Sequence, residues 1–525
     1  MASVKSVLRR GFEAVERGSD RIFSSPLNPF AQLGALGYFL FWIVAASGIY
    51  LFIFFDTGVV NAYGSLEWIS TDHWFHAGIM RSFHRYASDL MAVVMGLHLL
   101  REFALDRYRG VRWFSWLTAV PIIWFLYISG ITGYWLVWDQ LAQFVAIVST
   151  ELLDWLPIFG EPIARNFLTP ESLSGRFFTL MVFMHIVAPL LLLLMMWIHI
   201  QRISRPKVNP PRALMAMILA ALLAVSLWLP ALSQGPADLS RVTAEVGIDW
   251  YFLPLFALAD LWPAGVIWAL IGGFTFVILV MPWLPPLKRP QVAVVDLNHC
   301  NGCARCVDDC PYEAIRLVPR SDGLPFPNEV AVDPTLCVGC GMCMGACPSS
   351  TPFRRSGDLV TGIDLPDLPL KELRERTIAA AATLRGPGRI LVLACQYGAA
   401  SGRQEATIVL PCVAMAPPSL IDFIFSRDLA DGVVIAGCAE RACYNRLGVE
   451  WTKARIAGER DPYLRERVPR QRLAMIWADR SECRRLEAEL TVFADAVAKM
   501  PQFGPRMVRA APSRQPDKPA REPVP

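Results

Sequence analysis

Apolar residues run in long blocks through the first 285 positions and in short ones afterwards. Six blocks can span the ~30 Å hydrocarbon core as helices. They lie near 31–55, 79–104, 114–137, 177–201, 212–232 and 262–284. The fifth, from Leu214 to Leu229, carries no charge. Runs this long with so few polar interruptions predict membrane spans rather than a large soluble core. Past 285 the rhythm changes. The stretches 389–395, 407–412 and 432–438 are continuous short apolar runs between polar, helix-like segments, the pattern of buried parallel strands in an α/β unit.

Composition sharpens the membrane reading. Of 525 residues, 54% are hydrophobic and 18% charged, too apolar for a soluble chain of this size. The net charge of +4 is small, and no nucleic-acid partner is expected. The distribution of Lys and Arg says more. Lys5, Arg9, Arg10, Arg17 and Arg21 precede the first span; Arg101, Arg107, Arg109 and Arg112 follow the second; Arg202, Arg205, Lys207 and Arg212 follow the fourth; Lys288 and Arg289 follow the sixth. The other side offers Arg165 and Arg241, with Arg81, Arg85 and Arg176 at helix entrances. Basic loops stay inside, so both termini are expected in the cytoplasm of a multi-pass protein of a bacterial inner membrane. No cleavable leader is expected. All 13 cysteines lie after residue 299, as thiolate ligands in a reducing compartment would.

The second span carries His84 and His98, the fourth His185 and His199, both pairs 14 apart. Fourteen residues are ~3.9 turns, so each pair shares one helix face about 21 Å apart along the axis. The two helices run in the same direction, which sets His84 level with His185 and His98 level with His199. Intramembrane histidines are costly and mark function. Two such couples suit the axial ligation of two haems. His73 and His76 read as interfacial and His299 as a surface residue.

Residues 25–285 resemble cytochrome b of the bc complexes. Gly34 and Gly48, 14 apart on the first span, stand where the family presses a haem face against backbone. Arg81 and Arg101 sit three residues from His84 and His98, as family arginines near the haems do. The stretches 133–140 (GYWLVWDQ) and 249–254 (DWYFLP) resemble the two loops that line the family's quinol-oxidation pocket. Ile248 and Asp249 replace the family's Pro-Glu, Val137 replaces a proline and Ala119 a glycine. The resemblance implies a quinol pocket with Asp249 and Tyr251 in catalytic roles beside Tyr134, Trp138 and Trp250. It also implies a dimer.

Two C-x2-C-x2-C-x3-C-P runs follow: Cys300, Cys303, Cys306 and Cys310, then Cys337, Cys340, Cys343 and Cys347. This is the bacterial two-[4Fe–4S] ferredoxin pattern, whose fourth cysteine serves the other cluster. One cluster therefore takes Cys300, Cys303, Cys306 and Cys347; the other takes Cys310, Cys337, Cys340 and Cys343. In the α/β segment each predicted strand ends at a cysteine, namely Cys395, Cys412 and Cys438, and Cys443 follows. Strand ends converge at the carboxyl edge of a parallel sheet, so these four can hold one [2Fe–2S] cluster. The segment resembles the delta subunit of methyl-viologen-reducing hydrogenase. Cys483 reads as uninvolved.

The expected architecture is multi-domain. A cytoplasmic segment (1–30) precedes an all-α six-helix transmembrane bundle (31–285). An α+β ferredoxin-like domain (290–355), a linker (356–387), a small α/β parallel-sheet domain (388–500) and a disordered tail (501–525) follow. The expected function is an electron-transfer subunit of a quinone-linked oxidoreductase. It would connect a cytoplasmic flavoprotein, of NAD(P)H or heterodisulfide-reductase type, with iron–sulfur clusters, two b haems and a membrane quinone. The alternative is an anchor and relay for a hydrogenase-type complex without its own quinone site.

Overall fold

The computed structural model describes the chain apart from residues 1, 25–26, 106, 159–162, 164–167, 170–172, 202–207, 242–244, 285–290, 349–359, 400–405, 441–442 and 502–525. Arg165, Arg202, Arg205, Lys207, Lys288, Arg289, the first part of the linker and nearly all of the tail lie outside the described residues. Two compact units emerge, residues 1–286 and 287–525.

The first unit is helical among its described residues. It contains α1 (Ala2–Phe23), α2 (Leu33–Phe52), α3 (Ala62–Thr71), α4 (Ile79–Ala104), α5 (Trp113–Val137), α6 (Gln140–Asp154), α7 (Gly175–Gln201), α8 (Arg212–Trp228), α9 (Pro254–Leu261) and α10 (Ala264–Val280). All six predicted blocks are helical. Four spans, 29–52, 113–137, 178–201 and 264–283, are long and apolar enough to cross a membrane. Helix α4 is 26 residues long but carries Arg81, Arg85, Asp89, Arg101 and Glu102. Helix α8 has 17 residues, ~26 Å of rise. Large side chains such as Phe183, Trp197, Phe274 and Phe276 face outward, as hydrocarbon solvent allows.

Packing pairs α2 with α4 and α5 with α7, so each histidine-bearing helix lies along a glycine-bearing one. Helix α1 was not anticipated, because its mixed charges hide its period. It docks on α4 through the buried pair Arg101 Nε–Glu16 Oε1 at 2.6 Å. Asp139 caps α6 by accepting from Ala142 N at 2.8 Å, and its other oxygen accepts from Gln234 N at 2.9 Å. Gln143 Nε2 donates to the Asp238 and Arg241 carbonyls at 2.9 Å each. These bonds stitch the loop before Asp249 onto α6.

The second unit opens with β1 (Val294–Val295), α11 (Arg305–Asp308), the antiparallel hairpin β2 (Ile315–Pro319) and β3 (Asn328–Val332), and α12 (Met342–Ala346). The stretch read as a linker carries β4 (Ile363–Asp364), which pairs antiparallel with β1, and α13 (Leu370–Thr383). Then come β5 (Ile390–Cys395), β6 (Thr407–Leu410), α14 (Pro418–Ser426), β7 (Gly432–Gly437), α15 (Gly448–Ala457), β8 (Leu473–Trp477) and α16 (Cys483–Ala498). The sheet has the order β6-β5-β7-β8 and is parallel throughout. Strands β5 and β7 are buried at every position. The fourth strand, β8, is five residues long with only Ile476 buried, and was not among the three predicted.

Asp139→Ala removes a cap and a loop tether, and should destabilise the first unit by about 1–2 kcal/mol. Detergent melts should show the loss. Asp139→Asn, which keeps an acceptor, should recover most of it.

Candidate metal centres

In the first unit the four histidines meet as two couples. The His84 and His185 ring centroids lie 6.1 Å apart at 70°. Two metal–nitrogen bonds of about 2 Å and two nitrogen-to-centroid distances of about 1 Å place opposed imidazole ligands about 6 Å apart, so the couple fits one iron between its rings. His199 lies within electrostatic reach of His98.

The neighbouring helices hold the rings by Nδ1. His84 Nδ1 contacts Ser47 Oγ at 3.2 Å and the Val44 carbonyl at 3.0 Å. His185 Nδ1 contacts Thr132 Oγ1 at 3.3 Å and the Ser129 carbonyl at 3.0 Å. His199 Nδ1 contacts Thr118 Oγ1 at 2.9 Å. A partner on Nδ1 leaves Nε2 as the metal-binding atom. Ser47 and Thr132 immediately precede Gly48 and Gly133, which face the rings, and Thr118 precedes Ala119. A Cβ built at Gly48 or Gly133 would come within 2.9 Å of the facing histidine Cε1, and at Gly34 within 3.3 Å of that of His98. The hydroxyl signal was readable in the sequence and was missed.

Arg81 is buried and bonds Ser70, the Leu66 carbonyl at 3.3 Å and Ser233 Oγ at 2.8 Å. Arg101 pairs with Glu16. His76 Nδ1 meets Tyr50 Oη at 2.8 Å on a π-helical turn, Trp74–Gly78.

The predicted quinol residues divide. Asp249 Oδ1 accepts from Phe252 N at 2.7 Å and Tyr251 N at 3.2 Å. Its Oδ2 takes Arg85 Nη2 at 3.1 Å and the Tyr134 hydroxyl. Asp89, absent from the sequence-derived site, shares the same guanidinium, with Arg85 Nε at 3.0 Å. The Tyr251 hydroxyl lies within electrostatic reach of Asp89. The Tyr127 hydroxyl is buried without a partner, within electrostatic reach of Asp249. Trp138 packs in the core edge-on to Phe178, and Trp250 is exposed. A lone acid on an apolar helix, five residues past His84, was the available signal for Asp89.

In the second unit the cysteines of the two runs come together. Cys306 faces Cys347, Cys303 and Cys300. Cys343 faces Cys340, Cys306, Cys337 and Cys310. A cavity is lined by Cys310, Cys337, Cys340 and Cys343. Burial and the neighbouring thiols push Cys306 up to about 12, and burial raises Cys340 to about 12. Such groups ionise together only against strong positive charge, which iron supplies. Among the described residues no three side chains converge on a single-ion position; ligands of a cubane surround a volume instead. Gly362 presses against the backbone of Cys300, where an added Cβ would lie 3.1 Å from its Cα.

The C-terminal cysteines gather at the carboxyl edge of the sheet. Cys395, ending β5, and Cys438, following β7, have Sγ atoms 3.5 Å apart, beside Cys443. Cys412, after β6, faces Cys443 and Cys438. All four are buried. The strand order changes direction between β5 and β7, the place where open parallel sheets bind ligands. Cys483 Sγ instead donates to the Arg480 carbonyl at 3.1 Å.

Residues 19–206 match the family model for cytochrome b/b6/petB. Cytochrome b6 of Porphyra purpurea is 31% identical over 190 residues, 35% of this chain and 86% of the relative. The chain belongs to the cytochrome b family. Residues 299–351 match a 4Fe–4S dicluster domain and residues 393–501 the delta subunit of methyl-viologen-reducing hydrogenase, in the expected order. A solved structure titled "Hyperthermophilic respiratory Complex III" aligns at TM-score 0.39 and 20% identity, covering 48% of this chain and 75% of that one. This cytochrome b family member is thus a multi-pass membrane electron-transfer subunit with haem b and [4Fe–4S] clusters.

Substituting His84 or His185 should remove one haem and spare the other, and His98 or His199 the converse, as read in pyridine haemochrome spectra. Gly133→Val should mimic the loss of His185 by closing the gap. Iron beyond the haems should total about ten atoms per chain if three clusters form and about eight if only two do.

Proposed function

We propose that the chain passes electrons between a cytoplasmic flavoprotein-type partner, its iron–sulfur clusters, two b haems and a membrane quinone. Both termini would lie in the cytoplasm. The observation that carries the reading is the pairing of four intramembrane histidines on glycine-cleared helices, in one chain with three cysteine sets. Haem b supplies one-electron transfer when bound between His84 and His185 and between His98 and His199. Cys300, Cys303, Cys306 and Cys347 would hold one [4Fe–4S] cluster and Cys310, Cys337, Cys340 and Cys343 the other. Cys395, Cys412, Cys438 and Cys443 would hold a [2Fe–2S] cluster. The delta-type domain is the docking module for the soluble partner.

The quinone pocket falls at the loop of Asp249 and Tyr251, beside Tyr134. Quinol gives up two protons with its two electrons, so the pocket needs a base. Asp249 and Asp89 share the one guanidinium of Arg85, which leaves a net charge of −1 on the three groups and room for one proton. Burial and Asp89 raise the Tyr251 hydroxyl, which therefore stays protonated beside Asp89. The buried, unpartnered Tyr127 hydroxyl is a donor suited to a quinone oxygen.

Asp249→Asn should slow haem reduction by quinol by tenfold or more with both haem spectra intact, and Asp249→Glu should retain most of the rate. Unchanged quinol turnover in Asp249→Asn across pH 5–9 would place the pocket elsewhere. If the wild-type haems accept no electrons from quinol at all, the anchor-and-relay reading stands instead.

A further inference from the structure

The dicluster segment and the parallel-sheet domain do not meet as two ordinary surfaces. Tyr312, which follows the Cys310–Pro311 corner, is largely buried and lies within electrostatic reach of Cys340, Cys412 and Cys443. It lines the cavity of the Cys310, Cys337, Cys340 and Cys343 set. Its hydroxyl donates to Asn445 Oδ1 at 3.1 Å, and Asn445 Nδ2 donates to the Pro411 carbonyl at 3.3 Å, next to Cys412. Met342, fully buried, packs in one cluster with Cys412, Ala414 and Trp451, against Cys340. At the start of α15, Gly448 leaves no room for a side chain: a Cβ there would run into Cys412 Sγ and sit 3.6 Å from Cys443 Sγ and 3.8 Å from Met342 Sδ.

The same contact carries an unusual charge. Arg455 of α15 is 1% exposed. It bonds Asp309, the residue before Cys310, and donates to the Ala414 carbonyl at 2.7 Å. Its Nε is buried without a partner. Arg460 pairs with the same carboxylate. Arg455, buried beside Cys412, must share that carboxylate with Arg460, which is 30% exposed, so its own charge is only partly offset by Asp309. A buried charge so placed is costly unless something of opposite sign lies nearby. Thiolate-held iron–sulfur centres are such a counter-charge.

We propose that the C-terminal cysteine set and the Cys310, Cys337, Cys340 and Cys343 set form one electron-transfer junction, with Tyr312 and Met342 as their common wall and Arg455 as the positive charge serving both. This rests on the reading that the C-terminal cysteines hold a cluster. It orders the soluble wire: the C-terminal set exchanges electrons with the Cys310 set, and that set with the Cys300 set. Each step moves one electron from the reduced to the oxidised centre, with no bond made or broken and no proton transferred. Cys343 of one dicluster set and Cys306 of the other lie in one buried cluster, which supplies the second link.

Electron paramagnetic resonance of the full chain, reduced with dithionite in detergent, tests the junction. With about ten non-haem irons present, the C-terminal signal should be broadened or split by its neighbour, and Cys438→Ala should sharpen that neighbour's signal. Arg455→Met should lower the midpoint potentials of these two centres while leaving that of the Cys300 set in place, and Arg455→Lys should restore part of the shift. Spectra that are a plain sum of three isolated centres, at full iron content, would overturn the proposal. So would an Arg455→Met shift as large in the Cys300 set. About eight irons in the wild type would remove the C-terminal cluster itself, and the junction with it.

Discussion

An imidazole placed inside hydrocarbon has two nitrogens to satisfy, and the membrane unit is arranged around that requirement. Ser47, Thr118 and Thr132 each take one nitrogen of a facing histidine. The bond chooses the tautomer, fixes the ring plane and aims the other nitrogen into the bundle. It also explains the helix pairing, because a hydroxyl can reach the ring only if the two backbones come close. The small residues that follow those hydroxyls permit the approach. At the fourth histidine the equivalent position is Leu33, before Gly34. His98 is therefore the one ligand whose neighbouring helix offers no hydroxyl at this place.

Charge follows a parallel logic in both units. Arg85 lies between Asp89 and Asp249, and Asp309 lies between Arg455 and Arg460. Neither triad neutralises itself. The first carries an extra negative charge beside the Tyr134 and Tyr251 hydroxyls, the second an extra positive charge beside buried cysteines. In a medium of low dielectric constant such imbalances are expensive, and each is placed where function provides the missing sign.

Much of this was readable from residues alone. The paired 14-residue histidine spacing, the two cysteine runs and the strand-ending cysteines are local patterns, and they survive as geometry. What the pattern hid came from contacts distant in sequence. Arg81, expected beside a haem, bonds Ser70 and Ser233. Asp249, expected in a catalytic role, is held by three backbone amides, Arg85 and Tyr134. Trp138, expected in the pocket, is core. Helix α1 lies before the first apolar block and carries five basic residues, so it does not read as a span, and strand β8 is a five-residue run of which only Ile476 is buried.

Gly362 lies against the backbone of Cys300, and the strand it precedes completes the two-residue ladder with β1. The cysteine runs end at Cys347, and the family match to the dicluster domain ends at residue 351, yet the support for the first ligand arrives more than ten residues later. A fragment cut where the motif stops would keep every sulfur and lose the strap behind the first of them. For anyone dissecting this chain, the unit that can be excised is set by that strap and not by the ligands.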